Sequence, residues 1–178
     1  ANNILLVVDE IQTGLGRTGT FLACEQFGIT PDILCLGKGL AGGIPVGATL
    51  VSEEIAQKIP VHIHTTTFGG NPLASAGIIA TLKEFDDKYL LNHIRKTGAY
   101  FLSQLKKLKS EKIVEARGIG LMLAIELTEN ATWLLKSLQD KRIIAIPAGS
   151  NVIRFLPPYI ITKKEIDILI HTLKNIFR

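Results

Sequence analysis

A short, uninterrupted apolar run, Ile4 to Val8, ends on Asp9, and a second, Ile33 to Leu36, ends on Gly37-Lys38-Gly39. Continuous β-branched and leucine runs of this length, bounded by Gly, Pro or Asp, are the pattern of strands buried on both faces of a parallel sheet. A looser run, Val46 to Val51, predicts a third strand of the same kind. Between the first two, Thr20 to Phe27 reads as a short helix closed by Gly28. The chain therefore starts as an α/β sheet with a carboxylate at one strand end and a glycine-flanked lysine at the next. In such a sheet the two can face each other across the ligand crevice at the strands' carboxyl ends.

Further along, Asn71-Pro72 combines an N-cap residue with proline at the first helical position and predicts a helix start. Helical periodicity runs on toward Lys109, with a break around Asp86 to Tyr89. The pattern then changes. Ile113 to Arg117 and Leu121 to Leu127 flank Gly118-Ile119-Gly120 as a tight hairpin. Ala131 to Lys141 is helical, Ile143 to Ile146 and Val152 to Phe155 are strands, and Thr162-Lys-Lys-Glu165 is a capping box. The last helix carries Ile166, Leu169, Ile170, Leu173 and Ile176 on one stripe. The expected division is residues 1–85, the end of a sheet domain, and residues 86–178, a small α+β domain.

A lysine that forms a Schiff base with a cofactor aldehyde, opposed by a carboxylate that keeps a pyridine nitrogen protonated, is the apparatus of pyridoxal-phosphate chemistry. Partial burial of Lys38 beside a positive charge would favour the neutral amine that attacks an aldehyde. Thr65-Thr66-Thr67-Phe68-Gly69-Gly70-Asn71 offers hydroxyls, flexible backbone and a helix N-terminus, a combination suited to an oxyanion, although a Gly-rich turn capped by Asn71 explains it equally.

The segments DEIQTGLGRTG, PDILCLGKGLAGG, TTTFGGNPLA and IRFLPP together resemble the class III aminotransferases, most closely their acetylornithine and ω-aminotransferase branch, which includes enzymes acting on a carrier-bound lysine. The resemblance runs along the whole chain but covers only the C-terminal part of the family's fold-type I architecture, so an N-terminal half is expected to be missing. It implies pyridoxal 5'-phosphate as cofactor, with Lys38 as the Schiff-base lysine, Asp9 at the pyridine nitrogen and Gln12 at the ring's phenolic oxygen. It places Thr67, with Thr66 as second candidate, on the cofactor phosphate of the neighbouring subunit, and hence implies a homodimer with a shared active site. Arg154, in the strand Val152 to Phe155, would hold the substrate carboxylate, where composition alone reads only a surface arginine. An amino-acid donor and 2-oxoglutarate are the implied substrates, in arginine or lysine biosynthesis. Arg17 belongs to the same pattern in a structural or rim role.

Other readings compete. Within the family these are 4-aminobutyrate and ornithine aminotransferases, a dialkylglycine decarboxylase or an aminomutase; outside it, a cofactor-free interaction fragment or a nicotinamide-binding protein. Gly14-Leu-Gly16-Arg-Thr-Gly19 and Gly37-Lys-Gly39-Leu-Ala-Gly42 both match G-x-G-x-x-G. The first is separated from its strand by intervening residues, and the second holds a lysine that a pyrophosphate-hugging loop does not need. A P-loop fails because Gly39 stands where Ser or Thr is required. His62-x-His64 would point one way along an extended segment, but no third ligand stands near to complete a zinc site.

Composition sets outer limits. With 47% hydrophobic and 20% charged residues the chain is globular, and its mean hydropathy of +0.29 is high for a fragment whose apolar runs fall far short of a membrane span. Apolar surface is therefore expected to face the missing half or a second subunit. A net charge of +4 with dispersed lysines argues against nucleic acid and suits anionic ligands. Cys24 and Cys35 make neither C-x-x-C nor a disulfide framework, and free thiols in a reducing cytoplasm are expected.

Overall fold

The structure, a computed structural model, describes residues 4–178. The chain forms two compact units, Ala1–Leu91 and Asn92–Arg178.

The first unit is built on a three-stranded sheet of β1 (Val7–Asp9), β2 (Ile33–Leu36) and β3 (Ala48–Val51), in that spatial order. β1 and β2 are parallel, with Asp9 opposite Cys35. β3 is antiparallel to β2, pairing Leu36 with Ala48, so the expectation of three parallel strands is corrected. The reason is local. The chain leaves β2 through a single 3₁₀ turn, Lys38–Ala41, and only a short loop follows before β3 begins. A parallel return needs a crossover of a dozen residues or more.

β1 also differs from expectation. It is shorter than the apolar run, and Ile4, Leu5 and Val7 are exposed rather than buried. Leu6 is still tied down, because its carbonyl accepts from the Asp32 and Ile33 N–H groups and its N–H donates to Asp32 Oδ2 at 2.7 Å. The expected helix over Thr20 to Phe27 is a 3₁₀ segment, Ala23–Phe27, closed by Gly28 in the left-handed conformation (φ 62°).

After the single turn α1 (Glu53–Ala56), α2 (Pro72–Lys83) starts where the sequence predicts. Asn71 Oδ1 accepts the Ala74 N–H at 3.0 Å and Asn71 Nδ2 donates to the Phe68 carbonyl at 2.8 Å, so the cap also closes the loop that precedes it. α2 packs on the turn Lys38–Ala41 through Gly77. A Cβ there would lie 3.1 Å from the Ala41 carbonyl and 3.0 Å from Ile44 Cδ1. The small core of this unit gathers Leu15, Leu34, Leu36 and Leu40, with Phe21 and Phe85 edge-to-face beside it.

The second unit contains most of α3 (Lys88–Leu105). It continues through the hairpin β4 (Ile113–Ile119) and β5 (Met122–Leu127), then α4 (Thr132–Asp140), β6 (Ile146–Pro147), β7 (Val152–Phe155) and α5 (Lys163–Ile176). Its sheet is antiparallel throughout, in the order β4-β5-β7-β6. β5 alternates strictly between half-buried and buried residues, sending Leu123, Ile125 and Leu127 into a core shared with Phe101, Leu105, Leu134, Leu138, Ile153 and the α5 stripe. Each such buried side chain contributes about 1.5–3 kcal/mol. The α5 cap forms as expected: the Thr162 N–H and hydroxyl both donate to Glu165 Oε2 at 2.8 Å, and these bonds hold the Glu165 carboxyl below its ordinary value. The strand expected over Ile143 to Ile146 is displaced to Ile146–Pro147, because Arg142 takes a left-handed conformation (φ 61°) and Ile143 donates its N–H to the Leu138 carbonyl.

Candidate active site

The parallel pairing of β1 with β2 decides where the chemistry-bearing side chains of the first unit emerge. Asp9 closes β1, and its register partner Cys35 stands two residues before Gly37. Asp9 and Lys38 therefore leave the same end of adjacent strands, rather than standing on opposite sides of a split in the sheet.

Asp9 is exposed, and its Oδ1 accepts the Ile11 N–H at 2.9 Å, which fixes one carboxylate oxygen inside the turn that follows. Gln12 lies half-buried in that turn. Lys38 is also exposed, so the partial burial expected of it is not provided by the described residues of this chain. Its backbone is in the left-handed region (φ 50°), uncommon for a side chain with a Cβ, and it opens the 3₁₀ turn on which α2 packs. A Cβ at Gly39 or Gly43 would meet nothing within 4 Å among the described residues.

Thr66 and Thr67 lie exposed in the loop leading to Asn71. Gly69 turns back so closely that a Cβ there would overlap Thr66 Cγ2 at 2.2 Å. His62 is in the left-handed region (φ 68°), so the segment is not extended there and the alternation that would send His62 and His64 the same way does not apply. Among the described residues no three His, Cys, Asp or Glu side chains come together as a metal site.

In the second unit, Arg154 is half-buried on β7, between Ala124 of β5 and Ile146 of β6. It lines a cavity of about 410 Å³ whose walls include Ile143, Ile146, Leu156, Pro157 and Ile168. An arginine in such an apolar wall is suited to grip a carboxylate as a planar fork.

One residue of the first unit escaped the sequence reading. Glu10 is 1% exposed, with both carboxylate oxygens bonded. The available signal was parity: side chains of consecutive extended residues point to opposite faces, so if Asp9 faces solvent then Glu10 faces inward. Both cysteines are free thiols. Burial, followed by the neighbouring Glu10 carboxylate, pushes the Cys24 thiol above its ordinary value. No helix among the described residues is long and apolar enough to cross a membrane.

The first unit thus presents a parallel strand pair with a carboxylate and an exposed lysine at one end, and a hydroxyl-bearing loop on a helix start. Residues 1–177 match the family model described as aminotransferase class III, and the chain belongs to that family. It is 42% identical, over 98% of its length and 44% of the relative's, to the acetylornithine aminotransferase of Oceanobacillus iheyensis. It is 43% identical, over 92% of its length and 38% of the relative's, to the [LysW]-aminoadipate semialdehyde transaminase of Deinococcus radiodurans. The crystal structure of acetylornithine aminotransferase from Elizabethkingia anophelis superposes with a TM-score of 0.90 at 37% identity, over 98% of this chain and 46% of that one. The chain thus spans less than half the length of the relatives it matches.

Proposed function

We propose that the protein is a pyridoxal-phosphate-dependent aminotransferase. It moves the terminal amino group of an acetylornithine-like or carrier-bound lysine-like substrate to 2-oxoglutarate, producing a semialdehyde and glutamate. The observation that carries this reading is the β1–β2 register, which brings Asp9 and Lys38 to one end of adjacent parallel strands in a class III family member. In this reading residues 1–85 are the C-terminal part of the cofactor-binding large domain and 86–178 the small α+β domain. The division into compact units at Leu91 and Asn92 supports a boundary close to that.

The donor set fits the cofactor: an anion for a protonated ring nitrogen, an amide for a phenolic oxygen, a primary amine for an aldehyde, and hydroxyls for a phosphate. When bound, the pyridine ring supplies the electron sink that makes a proton on the substrate's amine-bearing carbon removable. Asp9 keeps the ring nitrogen protonated and Gln12 donates to the phenolic oxygen. Lys38 Nζ would be the amine that holds the cofactor aldehyde and the base that moves the proton from the substrate's amine-bearing carbon. The same groups would serve the return transfer to the 2-oxo acid. Thr67, assisted by Thr66, binds the phosphate of the neighbouring subunit's cofactor, so the active unit is a homodimer. Exposed apolar side chains such as Ile4, Leu5, Val61 and Phe68 support burial against the remaining half of the enzyme or the second subunit. The reading places the enzyme in arginine or lysine biosynthesis in the cytoplasm, with no nucleic-acid or membrane partner.

The test is borohydride reduction of the full-length protein with pyridoxal phosphate, followed by peptide mass mapping. A pyridoxyl adduct on Lys38 is expected; an unmodified Lys38, or an adduct confined to another lysine, would refute the assignment.

Arg154 is assigned to the substrate carboxylate. Arg154→Lys keeps the charge but loses the fork, and KM for both amino donor and 2-oxoglutarate should rise by roughly tenfold or more. Unchanged steady-state constants for both substrates would remove Arg154 from the site.

A further inference from the structure

We infer that Glu10 is a positioning residue that sets the carboxylate of Asp9; the inference rests on the placement of Asp9 at the cofactor's ring nitrogen proposed above. Glu10 follows Asp9 directly, yet the two differ sharply in environment: Asp9 is exposed and Glu10 is 1% exposed. A buried carboxylate is costly unless its oxygens find donors. Both do so here. Oε2 accepts the Thr13 hydroxyl at 2.7 Å, inside the turn that carries Gln12, and Oε1 accepts the Cys24 N–H at 2.7 Å, at the start of the 3₁₀ segment. Hydrogen bonds to an ionised acceptor are roughly twice as strong as neutral ones.

The backbone of the same residue is pinned as well. The Glu10 N–H donates to the Cys35 carbonyl at 2.9 Å, and the Glu10 carbonyl accepts the Gly14 N–H at 3.0 Å. Gly14 closes the turn so tightly that a Cβ there would lie 2.9 Å from the Glu10 carbonyl oxygen and 3.2 Å from Leu36 Cδ2. Glu10 is thus held at four points, to β2, to its own turn and to the 3₁₀ segment.

Asp9 takes its orientation from that turn, because its Oδ1 accepts the Ile11 N–H. Where the Ile11 N–H points is determined by the residues that Glu10 clasps. A core position that only needed filling would be served by leucine. A carboxylate with both oxygens engaged, one of them on the catalytic turn itself, instead locks the geometry of the residue before it.

The experiment uses the full-length enzyme loaded with pyridoxal phosphate labelled with ¹⁵N in the ring. The ring-nitrogen chemical shift is read by NMR and cofactor affinity by equilibrium dialysis. The shift reports the hydrogen bond to the ring nitrogen and does not follow fold stability. Glu10→Ala should move it toward the unprotonated pyridine value and weaken cofactor binding on the order of tenfold, the scale seen when a residue that orients a ligand is removed. Glu10→Gln can still accept from the Cys24 N–H and donate to the Thr13 hydroxyl, and should restore both readouts to within about twofold of wild type.

A Glu10→Ala enzyme with the wild-type shift overturns the inference and leaves Glu10 a core residue. Should that variant fail to fold, Thr13→Val removes one bond of the clasp alone, and an unmoved shift there is equally fatal. Asp9→Asn separates the two proposals. If it leaves the shift unmoved, the placement of Asp9 fails and this inference falls with it. If it moves the shift while Glu10→Ala does not, only this inference falls.

Discussion

Replacing Lys38 by alanine should lower amino transfer by the full-length enzyme by about 10⁴-fold or more, while cofactor still binds. The loss is that large because one amine serves two purposes in the proposed scheme: it holds the cofactor covalently between turnovers and carries the proton during them. Retention of the cofactor is expected because, in the same scheme, Asp9 and Gln12, and Thr67 from the neighbouring subunit, would hold it independently of that bond. The backbone gives little reason for collateral damage. Lys38 is exposed, and alanine adopts its left-handed conformation at no greater cost than lysine does. Single-turnover assays of glutamate formation, with the bound cofactor measured in parallel, provide the check. Robust activity in the variant would refute the scheme, and loss of folding would contradict the exposed placement of the side chain.

Gly98→Ala should strongly destabilise the second unit. Gly98 lies buried on α3, and a Cβ there would sit 2.0 Å from the Gly120 carbonyl oxygen and 2.4 Å from the Gly120 carbonyl carbon. The obstacle is the backbone of the β4–β5 hairpin turn, which has no flexible end to move aside. Either α3 lifts off the hairpin or the hairpin is pushed from the core that Leu121, Leu123 and Ile125 fill. Overpacking of this kind costs about 3 kcal/mol, and a domain of this size loses roughly 4–8 °C in Tm for each kcal/mol. Thermal unfolding followed by circular dichroism should therefore show a drop of more than 10 °C, on the order set by those two figures. Gly28→Ala is the contrasting control: its φ of 62° disfavours a side chain but a Cβ there meets nothing within 4 Å, whereas Gly98 is helical and a Cβ there meets backbone. The control should cost only about 1–2 kcal/mol of backbone strain. Gly98 is helical, with no positive φ to demand glycine, so a Gly98→Ala variant that loses no more than Gly28→Ala would refute the close approach of α3 to the hairpin.

Much of the site was legible because its residues sit at punctuation in the chain. Asp9 and Lys38 end apolar runs, Asn71-Pro72 announces a helix, and Thr162 to Glu165 spells a cap; each follows from local sterics and hydrogen bonding among a few neighbouring residues. The hairpin and the stripe of α5 were legible for the same reason, since a period in the sequence becomes a face in space. Glu10 was not. Its importance comes from an N–H fourteen residues away, and nothing in DEIQTG states that Cys24 will arrive there.

The errors have the same origin. Ile4 to Val7 are apolar enough to be buried, yet in this chain they are exposed, because burial depends on what packs over a strand and not on its composition. The direction of β3 was equally hidden. An apolar run carries no sign of the strand it will pair with, and the short connection from the Lys38–Ala41 turn selected the antiparallel partner. By itself the sequence determined the kinds of element, their caps and the residue types suited to a pyridoxal cofactor, since these depend on chain chemistry within a few residues. Only the tertiary structure decided that Asp9 and Lys38 share one end of adjacent parallel strands, that α3 presses backbone to backbone on Gly120, and that Glu10 is buried with both oxygens engaged, because each is a contact between segments far apart in the chain.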